Sequence, residues 1–586
     1  MFYSLGDEPG IADLSAYWDF DFSDQALVEM RGWLRERYGT LAALNRQWGT
    51  DFAAWDLVTP PTTTAAMRRT DDNFSAWADH KDFMDHSFAA ALKMGNDAVR
   101  SVDPDAYVGI GGAQMPGWGG YDYARIARSL TAIEPYDIGN NIEILRSLNP
   151  ALAVETTSFA RGPWERHRVW YELLHGNRGL IIWDDKNKFV TKEGVIGARG
   201  REVEPYYTEL GNGIASLLMN SRRQADPIAI HYSQASMRTE WMLAQRPKGE
   251  AWVNRSSSTE RRDSDFLRLR ESFCRLVEDL GFQYNFVAYD QVERGELLRG
   301  GYRVLILPRS TSLSTAEAQA IREFLDQGGT AIAVGAPGIF DEHSRHLDQP
   351  LLQHPRLVQL AGDVLNYHQH RLIGKEGPVL EAMGKLLREA GLRPEFTVSG
   401  GTGVETHVFR NGSVRIVGLH TNPQLRVDEL GPPEFRSNER FEKPRLVRLA
   451  LPSELYVYDL RAARALGRQK ELTATLDPYE PALYSLTAEP FPALRVSAPQ
   501  RVARGATARL GLSFAGPSPA SVHLLHVDVL DPSGKRVSHY SGNVLAPAGR
   551  AAYLLPVALS DPPGRWQLRI RDLLSGQVQT AVVEVF

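Results

Sequence analysis

Apolar residues recur at helical spacing through residues 25–48, QALVEMRGWLRERYGTLAALNRQW, with one interruption at Tyr38-Gly39-Thr40. That pattern predicts two helices joined by a glycine-containing turn. TPPTTT at 59–64 reads as loop, and a long helix is predicted over 75–101, ended by the VDPDA turn. The pattern then alternates. Short apolar runs at 107–114, 136–140, 152–159 and 178–185 predict strands, with helical stretches near 121–132, 141–148, 163–175 and 203–220 between and after them. Strands alternating with helices predict parallel βα units. With Phe2-Tyr3-Ser4-Leu5 counted as a strand there are five such units, where a closed (β/α)₈ barrel has eight.

A second α/β stretch follows. PIAIHYS (227–233) reads as a strand, the polar, Arg-rich segment 246–263 as loop, and DSDFLRLRESFCRLVEDLGF as an amphipathic helix. The strands in QYNFVAYDQV, YRVLILPRS and TAIAVGAP then flank the helix STAEAQAIREFLDQGG, which predicts a doubly wound open sheet ending near 395. Beyond it only strand-like segments remain. The fold class expected is multidomain α/β: a partial TIM barrel (1–220), a doubly wound domain (221–395), a β-sandwich (396–488) and an immunoglobulin-like domain (491–586).

Bulk composition narrows function only by exclusion. A net charge of −5 and the lack of any Lys/Arg run argue against nucleic-acid binding, and no apolar run reaches the roughly 18 residues a membrane helix needs. Cys274 is the single cysteine, so neither an internal disulfide framework nor a thiolate metal site is expected. No signal-peptide pattern opens the chain, and the compartment stays open.

The chemistry is expected at the C-terminal ends of the barrel strands, where βα loops meet. Glu8 ends the first strand beside Pro9, and Glu155 lies in the strand LAVETTSF. Two carboxylates on nearby strand ends suit glycoside hydrolysis: one protonates the leaving oxygen while the other attacks the anomeric carbon. That chemistry needs no metal or organic cofactor.

Residues 33–61, WLRERYGTLAALNRQWGTDFAAWDLVTPP, closely resemble the segment that follows the acid/base glutamate in family 42 glycoside hydrolases, the β-galactosidase-like enzymes. In that family a strand ending in Asn-Glu stands at a similar distance before this segment; here the pair is Asp7-Glu8. The resemblance implies Glu8 as general acid/base and Glu155, on the seventh barrel strand, as nucleophile. Asp7 stands where the family has an Asn that contacts the sugar, a departure that bears on substrate choice. The resemblance makes Phe2–Leu5 the fourth barrel strand, and so implies three further βα units before residue 1. It also likens the doubly wound domain to an amidotransferase-like trimerisation domain, and so implies a trimer or other homo-oligomer. A β-galactoside or a galactose-containing polysaccharide is the substrate it implies. The rival reading is a non-catalytic carbohydrate-binding or scaffolding relative.

Further residues are weighed on position. Trp118, Trp164 and Trp183 offer aromatic faces for sugar rings, Asn140 a hydrogen-bonding amide, and Asp184 a carboxylate at the end of the eighth strand, each against a structural role. Glu143 is the alternative nucleophile. Glu134, before Pro135, is expected at a strand start with a structural role. Asp79, His80, Asp82, Asp85 and His86 are expected to form a solvated helix face, because His80 and His86 lack the i, i+4 spacing of a zinc helix. An amidotransferase-type activity is disfavoured, since Arg309-Ser310 occupies the turn where those enzymes carry a nucleophilic Cys.

Overall fold

The computed structural model describes residues 2–11, 19–117, 119–158, 162–184, 186–254, 263–422, 438–515 and 521–586. Its first part is an arc of five parallel strands in chain order: β1 (Phe2–Asp7), β2 (Tyr107–Gly111), β3 (Ala132–Ile133), β4 (Ala153–Ser158) and β5 (Gly179–Ile182). β1 pairs with β2, β3 with β4, and β4 with β5. The backbone bonds Thr131 N–H to Val108 O (3.1 Å) and Glu134 N–H to Ile110 O (3.0 Å) join β2 to β3. Among the described residues β1 pairs only with β2, and β5 only with β4.

Between β1 and β2 come α1 (Asp24–Tyr38), α2 (Leu41–Trp48), α3 (Thr63–Met67) and α4 (Ser75–Arg100); α5 (Tyr123–Ser129), α6 (Asn141–Leu148) and α7 (Pro163–His175) follow the next three strands. The predicted break at 38–40 is where α1 stops. Gly39 takes φ +68°, and the Thr40 side chain caps α2 by accepting the Ala43 amide at 3.2 Å. The strand predicted at 136–140 is instead the dipeptide Ala132–Ile133. Pro135 carries no amide, and Asp137, Gly139 and Asn140 take φ of +52°, +61° and +61°, so residues 135–140 form a loop into α6.

Of the face of α4 expected to be solvated, His86 is exposed, but Asp79, His80, Asp82 and Asp85, with Lys81 between them, are each less than a tenth exposed. Asp82 accepts from Arg125 (2.9 Å), Arg238 (2.7 Å) and Arg37 (3.1 Å), and Asp85 accepts from Gln234 (3.0 Å). Asp79 accepts from Trp48 Nε1 (2.7 Å) and Tyr38 (2.5 Å), and lies 2.6 Å from His343 Nδ1. These partners come from α1, α2, α5 and the following domain. The charge is therefore neutralised inside the protein rather than by water.

That following domain holds five parallel strands in the order Leu357–Gln359, Thr330–Val334, Val304–Pro308, Ile228–Tyr232, Asn285–Ala288. Ile228–Tyr232 and Val304–Pro308 are buried along their whole length, as expected of a sheet covered on both faces. Next, a seven-stranded antiparallel sheet contains the hairpin 445–476 and recruits Arg222–Gln224 as an edge strand. The strand Arg445–Asp459 changes neighbour along its length: Arg448–Ala450 pairs with Thr397–Ser399, and Tyr456–Asp459 with 484–487. The irregularity between Ala450 and Leu455 thus folds one sheet into two layers around a core that includes Val417, Leu449, Val457 and Leu486. Residues 494–585 form a three-stranded and a five-stranded sheet packed around Leu510, Val527 and the buried Trp566.

Replacing Asp82 with Ala leaves the Arg37, Arg125 and Arg238 guanidinium groups facing one another without their shared carboxylate. Denaturant titration should register a loss of about 3–5 kcal/mol, the cost of breaking a buried ion pair. A loss under about 1 kcal/mol, the range of surface pairs, would show that water serves this network.

Candidate active site

Strand register brings acidic residues onto one level of the arc. Asp7 pairs with Gly111, Ile133 with Val154, and Glu155 with Gly179. Glu134 therefore stands level with Glu155. Ile110, Ile133 and Val154 face the helices as part of the main core. Alternation along each strand then turns Asp7, Gly111, Glu134, Glu155 and Gly179 to the opposite, inner face. The two glycines leave room for the acids beside them. A Cβ on Gly111 would lie 3.4 Å from both Asp7 Oδ1 and Glu134 Oε2, and one on Gly179 only 2.7 Å from Glu155 Cγ.

Glu8 follows directly. Its φ of +47° is unusual for a residue with a side chain and costs of order 1–3 kcal/mol. The conformation is held by the Glu8 amide, which donates to Gly111 O at 2.9 Å, and by Tyr136, whose hydroxyl donates to Glu8 Oε1 at 2.6 Å. Gly112, at φ +61°, lies beneath both: a Cβ there would be 2.5 Å from Glu8 Cγ and 2.8 Å from Tyr136 Oη. Burial and the neighbouring Glu8 carboxylate push the Tyr136 phenol above its ordinary pKa, so it stays a donor.

Glu134 directly follows β3, so it lies beyond the C-terminal end of a strand and not at a strand start. It is 3% exposed. It accepts from the amides of Gly112 and of Thr157 (3.1 Å), tying β2 to β4. Burial raises its carboxyl pKa, the two residues it binds lower it, and Asp7 adds to the rise. Sequence reasoning gave Glu134 a structural role at a strand start and did not single out Tyr136. A signal was present: Glu134-Pro135 repeats, after a short apolar run, the Glu8-Pro9 pattern of β1.

Glu155 is half-buried, and burial lifts its carboxyl above the ordinary range. Trp183, just beyond β5, is 57% exposed, and its amide donates to Ser158 O at 3.3 Å. Asp184 turns its carboxylate onto the amides of Lys188 (2.7 Å), Phe189 and Val190 (both 3.1 Å), and so organises its own loop. Asn140 begins α6, and its buried Oδ1 has no hydrogen-bond partner among the described residues. Trp164 packs edge-on against His167 and Tyr479, at the junction with the seven-stranded sheet. Trp118 lies outside the described residues.

Glu143 stands in the first turn of α6, 2% exposed, accepting from Tyr171 at 3.0 Å and 3.8 Å from His175. It faces a buried cluster and not the inner face. In the doubly wound domain Ser310 Oγ lies 2.8 Å from His231 Nδ1, and His231 Nε2 lies 2.9 Å from Glu317 Oε1, an order that resembles a hydrolase triad. All three are at most 3% exposed, and Glu317 also caps its helix by accepting the Ser314 amide at 2.7 Å. No substrate reaches that serine. Cys274 is wholly buried, with its thiol pushed up by burial.

Acidic side chains gather at the C-terminal ends of parallel strands, on the face away from the helices, where βα barrels carry their chemistry. Residues 4–137, which carry Asp7, Glu8, Glu134 and Tyr136, match the family 42 glycoside hydrolase model, described as β-galactosidase. The chain is 25% identical over 374 residues to β-galactosidase BgaB of Geobacillus sp. (strain Y412MC61), covering 55% of this chain and 50% of that one. It is 24% identical over 360 residues to β-galactosidase LacZ of Heyndrickxia coagulans, with coverage of 55% and 50%. The chain thus spans about half the length of these curated relatives. Among solved structures, Gan42B, a family 42 β-galactosidase from G. stearothermophilus, superposes with a TM-score of 0.57 at 15% identity, over 80% of this chain and 77% of that one. A family 42 exo-carrageenase from Bacteroides ovatus gives 0.54 at 15% identity, over 82% and 66%. The chain is similar to family 42 glycoside hydrolases over these matched residues, and the fold shared with the solved structures is a TIM barrel followed by β-rich domains.

Gly112 and Gly39 both take φ above +60°, but a Cβ on Gly39 would meet nothing within 4 Å. Gly39→Ala should therefore cost only the left-handed backbone strain of about 1–2 kcal/mol, and Gly112→Ala a further ~1 kcal/mol or more from crowding Glu8 and Tyr136. Thermal unfolding of the two variants checks the difference; equal losses would mean that the pocket around Glu8 yields freely.

Proposed function

We propose that this chain is a retaining glycoside hydrolase acting on β-galactosides or on a galactose-containing polysaccharide. The observation that supports it is the row of inward carboxylates at the strand ends, in a segment matching a β-galactosidase family. In the first step a Glu155 oxygen bonds to the anomeric carbon as the glycosidic C–O bond breaks, and Glu8 gives its proton to the departing oxygen. In the second, Glu8 takes a proton from water, whose oxygen displaces Glu155 from the sugar. Asp7, adjacent to Glu8, receives a sugar hydroxyl. The exposed Trp183 ring supplies a stacking face, and the unpartnered Asn140 amide oxygen accepts a hydroxyl. Trp164 would act from the domain junction, at the rim. Glu134 holds the Gly112 and Thr157 backbones, and with them the spacing between the Glu8 and Glu155 strands. Assembly as a homo-oligomer through the doubly wound domain belongs to the same proposal.

Incubation with 2-deoxy-2-fluoro-β-galactosyl fluoride, followed by intact-mass measurement and peptide mapping, should find one sugar adduct on Glu155, absent from Glu155→Gln. An adduct on Glu134 would keep the retaining class and move the nucleophile. Folded protein that takes no label but still binds galactosides would favour the non-catalytic, carbohydrate-binding reading. Glu8→Gln should lower kcat/KM about 10²–10⁴-fold on substrates whose leaving group needs a proton, and far less on a dinitrophenyl glycoside.

A second outcome concerns pH. Nucleophilic attack needs ionised Glu155, and burial raises that carboxyl above its ordinary 4.5. Activity is therefore lost as pH falls through the raised value, and the acid limb of kcat/KM should lie above 4.5. An acid limb below that value would assign it to another group.

A further inference from the structure

At the opposite end of the strands from the carboxylate row, imidazoles and carboxylates crowd into a space closed to solvent. α7 carries His167 and, at its last residue, His175; the strand Val404–Asn411 carries Glu405 and His407, and its neighbour Val414–Thr421 carries His420. All five are at most 1% exposed. Glu405 and His407 are two residues apart on a strand and so share one face.

The hydrogen bonds of His175 define what its ring presents. Nδ1 lies 2.8 Å from the Tyr171 carbonyl oxygen, which can only accept, so Nδ1 carries a proton. In the neutral ring the other nitrogen, Nε2, then bears a lone pair. Nε2 itself lies 3.0 Å from Glu405 Oε1, and His407 Nε2 lies 3.6 Å from the same oxygen. The three donor atoms lie within 4.8 Å of one another. Nε2 held this close to a carboxylate oxygen in a buried site calls for a cation between them, either a second ring proton or a metal ion.

His407 makes a second, independent point. Neither of its ring nitrogens has a hydrogen-bond partner among the described residues, although the ring is wholly buried. Buried polar atoms rarely stay unsatisfied without a reason such as an ion. The outer contacts are also those of a ligand set. Glu405 is steadied by Gln283 Nε2 at 3.0 Å on one oxygen and by Asn422 Nδ2 at 3.4 Å on the other. Glu143 Oε1 is 3.8 Å from His175 Nε2, and Glu278, which pairs with Arg275 at 2.8 Å, binds Asn422 at 2.6 Å. Glu405, Glu143 and Glu278 stand against Arg275, Arg146 and Arg223, so charge around the cluster is near balance. Arg146 and Arg223 stand to one side, where with His175 they line a cavity of about 330 Å³ that offers a route inward.

We propose that His175, Glu405 and His407 bind one divalent transition-metal ion, zinc by its nitrogen and carboxylate donors, tying α7 to the seven-stranded sheet. Tetrahedral coordination at zinc distances sets donor atoms about 3.4 Å apart, and the two measured separations, 3.0 and 3.6 Å, straddle that spacing. The role is structural: the site is enclosed and stands at the far end of the strands from the carboxylates proposed for catalysis. Spacing in the sequence could not reveal it, because the ligands come from two domains.

The test uses the full chain, stripped with dipicolinate, exposed to a slight excess of zinc chloride, desalted and assayed for metal by mass spectrometry. One zinc per chain is expected, with a thermal midpoint that rises with zinc concentration and a visible absorption band when cobalt(II) replaces zinc. His407→Asn and Glu405→Gln should weaken zinc binding at least tenfold, Gln283→Leu about tenfold through loss of an outer contact, and His539→Asn, at an exposed ring, not at all. Wild-type protein that retains no zinc and shows no shift in midpoint overturns the proposal, whether or not the variants fold. Zinc retained equally by folded His407→Asn overturns it as well, by locating the metal elsewhere.

Discussion

Asp79, Asp82 and Asp85 recur along α4 at three-residue intervals, and the order of the molecule's first half depends on how their charge is met. Each carboxylate is met by several donors at once: Arg37, Tyr38 and Trp48 from the helices before α4, Arg125 from α5, and Arg238 and His343 from the doubly wound domain. Burial alone would raise the Asp82 carboxyl, but Arg125, Arg238 and Arg37 outweigh it and hold it far below the ordinary range. Such a network gives less net stability than its contact list suggests, because every charge has first to be stripped of water. Its effect is to admit one arrangement: any other docking of α1, α5 or the next domain strands a charge.

The position of β1 follows from that docking. α4 packs against β1 so closely that a Cβ on Gly95 would lie 2.8 Å from Leu5. β1 in turn delivers Asp7 and Glu8 to the inner face, where Gly111 and Gly112 make room for them. Glu134 completes the frame by accepting amides from the strands on either side, a buried carboxylate used as a spacer. The inward carboxylates are thus seated on strand ends and on backbone-to-carboxylate bonds, the rigid parts of the arc.

The two ends of the strands divide the work. Carboxylates with exposed neighbours such as Trp183 gather at the C-terminal end, where βα units carry their chemistry. At the other end histidines and glutamates are sealed between domains, which fits a role in holding them together. The strand Val404–Asn411 belongs to the second role and also accepts Arg222–Gln224 as its edge partner, so the first α/β region and the seven-stranded sheet share backbone hydrogen bonds as well as side chains.

Local pattern alone determined much of this. The α1–α2 pair with its turn at Gly39, the length of α4, the strands around Glu8 and Glu155, and the alternation of α/β and all-β stretches all follow from residue spacing and from residues that can adopt a turn. The resemblance carried by residues 33–61 pointed to the family. Tertiary structure decided the rest. Helical periodicity shows that Asp79, Asp82 and Asp85 lie near one another, but not that Arg238 and His343 will cover them, so a buried network reads as a wet surface. The dipeptide Ala132–Ile133 is too short for a periodic signal, so the level of Glu134 was set by its neighbours β2 and β4 and not by its own sequence. His175, Glu405 and His407 meet only because α7 packs on a strand from another domain. Spacing along a chain reports which residues share a face; what that face meets depends on contacts between residues far apart in the chain, and those exist only once it has folded.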